Sequence, residues 1–67
     1  MERFGDRLVR LRHERGVTQK QVAEELMIPY SLFTYYESGR GYPSCDKLEL
    51  LADFFGVTMD YLWKGTK

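Results

Sequence analysis

The stretch TQKQVAEELMIPYSLFTYYESG, residues 18–39, decides the fold of this 67-residue chain. Thr18 has the character of a helix N-cap, and Gln21 follows it at the capping-box spacing. Pro29 fixes φ, so it opens a helix but does not continue one. Gly39 then stops the second segment. The stretch therefore predicts two short helices, QKQVAEEL and YSLFTYYES, joined by a sharp break, with Phe33 and Tyr36 as the inward pair of the second.

The flanking segments also carry helical signals. Phe4, Leu8 and Leu11 recur at the spacing of one helical face, Arg3, Arg7 and Arg10 lie on a different face, and Gly16 ends that segment. After a glycine- and proline-containing loop, either Ser44 or Asp46 caps a fourth helix. The apolar residues of the fourth helix are Leu48, Leu51, Ala52 and Phe55, and Thr58 caps a short fifth helix. No segment alternates with period 2, so the sequence predicts an all-α, five-helix single domain over residues 1–67.

Composition excludes several classes of protein. No apolar run approaches the ~20 residues of a membrane span, and the N-terminus has no signal-peptide core, so we expect a cytoplasmic protein without membrane contact. Cys45 is the only cysteine and His13 the only histidine, which excludes an internal disulfide and a structural zinc site. No nucleophile–base set or carboxylate pair has plausible spacing. We therefore expect neither an enzyme nor a cofactor or metal site.

The net charge is zero, but its distribution is uneven. Residues 1–20 contain six basic side chains against three acidic ones, and residues 44–60 contain four acidic against one basic. A neutral chain argues weakly against nucleic acid as a partner, whereas a basic face would favour it. The charge balance alone leaves the partner open.

The motifs LRHERGVTQKQVAEEL (11–26), YESG (36–39) and LELLADFFGVTMDYLWKG (48–65) occur together in this order. In this combination, the chain resembles the Cro/C1-type, XRE-like helix-turn-helix family of phage and bacterial repressors over about residues 4–65. The resemblance implies a compact five-helix repressor-like DNA-binding domain with its motif at about 19–38. It further implies a bacterial or phage-encoded transcriptional regulator, a repressor, whose third helix (about 30–38) reads the major groove of a palindromic operator as a weak homodimer.

The resemblance also assigns roles to residues. Thr18 and Gln19, at the start of the second helix, are expected to touch a DNA phosphate, which the positive end of a helix favours. Arg12 is expected to form a structural ion pair with Glu37. Four residues on one outward strip of the third helix are expected to face DNA: Tyr30, Ser31, Thr34 and Tyr35. Arg40, just after this helix, and Lys20, in the second helix, are expected to contact the DNA backbone.

Three departures from the family pattern stand out. Met27 replaces the usual glycine at the bend, Pro29 replaces the usual Ser or Thr cap, and the third helix lacks the Gln, Arg or Lys that the family often carries there. A positive φ at Met27 would cost roughly 1 kcal/mol or more.

Alternatives remain open. Tyr30 and Tyr35 are either DNA contacts or ordinary surface aromatics, or they pack on the loop at Tyr42. Met59, Leu62 and Trp63 are either core or a homodimer surface. The aromatic third helix also suits a protein partner, as in an antitoxin-like or anti-repressor module, and the chain also suits the DNA-binding end of a longer repressor.

Overall fold

The computed structural model describes residues 2–65 and contains five helices in that part of the chain. They are α1 (Phe4–Arg15), α2 (Gln19–Leu26), α3 (Tyr30–Glu37), α4 (Cys45–Phe55) and α5 (Met59–Lys64). The predicted all-α, five-helix architecture is confirmed. None of these helices has both the length and the apolar composition needed to cross a bilayer.

Side-chain caps begin three of the helices. At α2, Thr18 Oγ1 accepts from the Gln21 N–H at 3.0 Å, and Gln21 Oε1 accepts from the Thr18 N–H at 2.8 Å, so the capping box forms in both directions. Ser44, rather than Asp46, caps α4, and Thr58 caps α5. These caps fix where the chain turns between helices.

The core contains side chains from all five helices and lies beneath α3. Phe33 and Tyr36 enter it from α3, and they meet apolar residues of α1, α2, α4 and α5. The buried apolar residues are Phe4, Leu8, Leu11, Val22, Ala23, Ile28, Phe33, Tyr36, Leu51, Ala52, Phe55 and Leu62. Helix α3 packs on α1 and α2, so its opposite side is left free.

Gly5 sets how closely α1 approaches α3. A Cβ placed on Gly5 would lie 2.5 Å from the backbone oxygen of Glu37 and 3.0 Å from that of Tyr36. These are backbone atoms that cannot rotate away. The last turn of α3 therefore rests directly on the first turn of α1, which fixes the direction of α3.

The burial of Arg7 differs from the arrangement predicted for the faces of α1. The sequence pattern placed Arg3, Arg7 and Arg10 together on a face away from the apolar stripe, but Arg7 is buried. Its guanidinium donates to the carbonyl oxygen of Leu62 at 2.8 Å and to that of Glu2 at 3.1 Å. Its Nε lies 3.3 Å from a carboxylate oxygen of Glu2. Backbone carbonyls of α5 and the N-terminal segment thus compensate the buried charge.

The packing of α5 removes Leu62 from the predicted dimer surface. Leu62 is fully buried, because α5 lies across α1 and α4 and turns this residue into the core. Met59 packs partly buried against the same core. Trp63, one residue further around the helix, is 41% exposed and contacts the rings of Phe4 and Tyr42. Of the three residues, only Trp63 has a largely accessible side chain.

Candidate nucleic-acid interface

Four residues of α3 form a continuous outward strip. Tyr30, Ser31, Thr34 and Tyr35 follow the i, i+1, i+4, i+5 spacing, and we call them the outward strip. Tyr30 is 54% exposed and Tyr35 45% exposed, whereas Phe33 on the opposite side is completely buried. The structure thus separates the aromatic residues of this helix into a buried pair and an exposed pair.

A chain of hydrogen bonds connects the outward strip to the interior. Tyr30 Oη donates to Gln19 Oε1 at 3.2 Å, and Gln19 Nε2 donates to Glu37 Oε1 at 2.7 Å. Glu37 Oε2 accepts from Arg12 Nε at 2.7 Å. The side chain of Gln19 therefore bridges the two ends of α3 and is held in place at both of its polar atoms.

The Arg12–Glu37 ion pair anticipated from the motif is present and largely shielded from solvent. The side chains of Arg12 and Glu37 are 13% and 4% exposed, and Arg12 also donates to the carbonyl oxygen of Val17 at 3.1 Å. The pair joins α1, the turn before α2 and the end of α3. A charge-assisted pair with further hydrogen bonds orients these elements specifically.

The starts of α2 and α3 expose backbone donors beside the strip. The capping box engages the third N–H of α2 and leaves those of Gln19 and Lys20 without an intrahelical acceptor. At α3, Pro29 has no side-chain cap, and its carbonyl oxygen accepts from the N–H groups of Leu32 and Phe33. The N–H groups of Tyr30 and Ser31 are likewise left without an intrahelical acceptor, at the positive end of the helix.

Tyr35 lies against the loop that follows α3, not against Tyr42. A Cβ on Gly41 would overlap the Tyr35 ring, so the ring covers the place where any other residue would have a side chain. Tyr42 instead contacts Phe4 and Trp63, with ring centroids 5.8 and 5.2 Å apart. The alternative of packing on the loop at Tyr42 is therefore confirmed for Tyr35, which lies against Gly41, whereas Tyr30 donates to Gln19 instead.

Most of the N-terminal arginines are engaged within the fold. Arg7 is buried, Arg12 pairs with Glu37, and the Arg15 guanidinium lies 4.8 Å from the centroid of the Phe54 ring. Arg10 contacts Glu2, Glu14 and Tyr61. The excess of basic residues in the first part of the chain thus does not form one open basic face.

Three local pKa shifts have clear physical causes. The hydrogen bond from Arg10 lowers the pKa of the Glu2 carboxyl, and the same carboxylate raises the pKa of the Arg10 guanidinium. Burial raises the pKa of the Tyr36 phenol. All three groups therefore keep their ordinary protonation states at neutral pH.

Exposed cations nevertheless flank the motif. Lys20 is exposed in the first turn of α2, and Arg40 is exposed just after α3. Neither forms an ion pair with residues 2–65. These two cations are available to an anionic partner on the side of the motif.

The turn between α2 and α3 has the backbone conformation anticipated for a glycine. Met27 has φ 57° and ψ 41°, and it is the only non-glycine residue with positive φ in the described chain. Its N–H caps the end of α2, and its side chain is 91% exposed. The motif keeps its geometry despite the substitution, at a cost in backbone strain.

Residues 3–61 match the family model described as a helix-turn-helix domain. The chain belongs to this helix-turn-helix family, and its α2 and α3 supply the motif. The predicted resemblance to phage and bacterial regulators with this motif is confirmed.

Two curated relatives and one solved structure illustrate the similarity. The transcriptional activator BcrR of Enterococcus faecalis is 39% identical over 92% of this chain and 30% of its own length. The cryptic phage CTXphi transcriptional repressor RstR of Vibrio cholerae is 35% identical over 85% of this chain and 51% of its own. A transcriptional regulator from Listeria innocua superposes with a TM-score of 0.85 at 34% identity, over 97% of this chain and 61% of that one. The chain spans about half or less of the length of these two curated relatives.

Two features of the site did not follow from the sequence. The bridging position of Gln19 depends on the distance between two helices, and the close fit of Tyr35 on Gly41 depends on the path of a loop. The glycine pair around Arg40 was the available sequence signal for the second feature, and it predicted only a loop.

Proposed function

We propose that the protein is a sequence-specific DNA-binding transcriptional regulator that reads the major groove with α3. The observation that carries this proposal is the outward strip, an exposed helical face held at a fixed angle by Gly5 and by the Arg12–Glu37 pair. An α-helix fits the major groove of B-DNA, and a rigid scaffold keeps its register.

Phosphate contacts position α3 in this proposal. The free N–H groups at the start of α2 donate to a phosphate next to Thr18 and Gln19, with Lys20 beside them. Thr18 Oγ1 accepts the Gln21 N–H in its cap, so its hydroxyl hydrogen remains able to donate to the same phosphate beside the backbone N–H groups. Arg40 supplies a second cation to the DNA backbone.

A homodimer on a palindromic operator completes the proposal. One recognition helix reads few base pairs, and a two-fold dimer places two such helices about 34 Å apart in successive major grooves. Trp63 and Tyr42, exposed and in contact with each other, are the aromatic surface that supports weak self-association. We propose a repressor, since a protein seated on an operator blocks access to it, although the relatives include an activator and a repressor.

The experiment is a duplex-binding measurement by fluorescence anisotropy after selection from random double-stranded DNA. We expect one enriched palindromic duplex to bind more tightly than its scrambled version. The double variant Tyr30→Ala/Tyr35→Ala should lose this preference. The control Leu50→Ala, which removes an exposed side chain from α4, should keep it.

Salt dependence provides a second measurement. Lys20 and Arg40 supply two cations per copy, so a dimer should show a slope of log K against log salt of about −4. No enrichment, or a flat salt response at low ionic strength, would contradict the proposed function.

A protein-interaction module is the second candidate, favoured by the uncharged aromatic character of the outward strip. An antitoxin-like or anti-repressor partner would then cover the strip. The same double variant separates the candidates, because under this reading it abolishes binding to the partner protein and leaves any DNA binding unchanged.

A further inference from the structure

The chemistry of the outward strip restricts which DNA bases it can read. Side chains that distinguish guanine or adenine by paired hydrogen bonds are Arg, Lys, Asn and Gln. Helix α3 contains none of these, and its only charged residue, Glu37, is buried against Arg12. The base-reading face therefore lacks the usual paired donors and acceptors.

Gln19 is the nearest amide, and it is already occupied. Its oxygen accepts from Tyr30 and its nitrogen donates to Glu37. An amide held at both ends cannot turn to form a bidentate pair with adenine without breaking one of these bonds. The network that stiffens the motif thus occupies the amide nearest to the strip.

The hydroxyl groups of the strip are also partly occupied. Thr34 Oγ1 donates to the carbonyl oxygen of Ser31 at 2.9 Å, and the Tyr30 hydroxyl donates to Gln19. The half-buried Thr34 therefore has its hydroxyl hydrogen committed to the helix backbone, so its methyl group and a weakly discriminating acceptor oxygen are what remain for a ligand. The Ser31 hydroxyl is exposed, but a hydroxyl both donates and accepts and so discriminates weakly between bases.

Apolar surface remains as the main distinguishing feature of the strip. The rings of Tyr30 and Tyr35 are about half exposed, and the Thr34 methyl lies between them in the helical spacing. One edge of the Tyr35 ring lies against Gly41, and the ring remains 45% exposed. Apolar groups in the major groove meet one apolar base feature, the C5-methyl group of thymine.

We propose that this protein recognises its DNA site chiefly through thymine methyl groups beneath the outward strip. The preferred duplex has T·A or A·T pairs where α3 enters the groove, and the methyls pack on Tyr30, Thr34 and Tyr35. This inference rests on the proposed function, since it names the chemical feature that the same α3 reads.

The test replaces single thymines of the enriched duplex by deoxyuridine. Deoxyuridine keeps the base pair and every hydrogen-bonding edge and removes only the methyl group. We expect binding to weaken about fourfold at each contacted thymine, as expected for one buried methyl-sized group. Deoxyuridine outside the positions contacted by α3 should have no effect.

A reverse substitution isolates the methyl group from the base pair. Changing a contacted thymine to cytosine should weaken binding. Placing 5-methylcytosine at that position should then raise the affinity about fourfold above that of the cytosine duplex. The variant Thr34→Ser keeps the hydroxyl and removes only the methyl. At the thymine that Thr34 contacts, this variant should bind the thymine duplex and the deoxyuridine duplex with equal affinity.

The outcomes separate the two proposals. Failure to enrich any duplex overturns the proposed function and the methyl readout together. Specific binding that changes less than twofold at every deoxyuridine position overturns the methyl readout and leaves the proposed function standing. Loss of binding confined to the contacted thymines supports both.

Discussion

Tyr30 and Glu37, at opposite ends of α3, are hydrogen-bonded to the same side chain, that of Gln19. One partner is exposed on the outward strip and the other is buried in an ion pair with Arg12. A contact made by Tyr30 is therefore mechanically connected to the interior of the domain through a single amide.

We expect Gln19→Ala to affect both stability and binding. It removes two hydrogen bonds, which should lower the free energy of unfolding by about 1–2 kcal/mol in urea denaturation. It also frees the Tyr30 ring, so affinity for the enriched duplex should fall. Tyr30→Phe removes only the outer bond and should cost less in stability. Equal stability of Gln19→Ala and the wild type would contradict the role of the bridge.

Removing one partner of the Arg12–Glu37 ion pair should strongly lower the free energy of unfolding. Arg12→Met leaves the Glu37 carboxylate buried and poorly compensated, with an expected loss of about 3–5 kcal/mol. The double variant Arg12→Met/Glu37→Met should recover part of that loss, because no buried charge remains. Circular dichroism during urea titration measures both. A single-variant loss below about 1 kcal/mol would show that the pair is dispensable.

Met27→Gly should stabilise the domain. Glycine adopts a φ of 57° without the clash that a Cβ causes, so we expect a gain of about 1 kcal/mol and a midpoint increase of about 4–8 °C. The matched control is Met27→Ala, which shortens the exposed side chain but keeps the Cβ. If both variants shift the melting midpoint equally, backbone strain is not the cause.

Glu2 should make stability depend on pH in the acidic range. Its pKa is lowered from 4.5 by Arg10, so the folded state favours the carboxylate. The stabilisation is therefore present above that ordinary value and is lost as pH falls through the lowered pKa. Glu2→Gln should reduce the melting midpoint at neutral pH by no more than about 4 °C, because the pair is partly exposed.

The difference between Glu2→Gln and the wild type should disappear in strong acid. Glu14→Gln, which affects the more exposed partner of Arg10, should have a smaller effect throughout. A difference that persists unchanged at low pH would show that Glu2 acts through packing and not through charge.

The helix boundaries and the core were accessible to sequence reasoning because local signals and helical periodicity agree. Thr18, Gln21 and Pro29 act within a few residues of their own position, so their effects are readable without the fold. Phe33 and Tyr36 were predicted as buried from their spacing, and both are. All of the sequence signals that predicted the structure correctly act within a few residues along the chain.

The remaining features depend on distances across the fold. The burial of Arg7 requires carbonyl groups from α5, more than fifty positions away in the chain, and an arginine on a helix otherwise indicates an exposed face. Leu62 was ambiguous because a six-residue helix has too little periodicity to separate its faces. The tight contact at Gly5 has no sequence signature beyond the glycine itself.

Arg7 has a consequence for how the domain unfolds. If α5 separated on its own, the Arg7 guanidinium would lose its acceptor on α5, the Leu62 carbonyl, and keep only its contacts with Glu2, so that intermediate would be unfavourable. The Arg7 contact therefore opposes independent fraying of the shortest helix, whose length alone would make it marginal. Amide hydrogens of α5 should exchange with solvent only when the whole domain opens, which makes the ends of the fold a single cooperative unit.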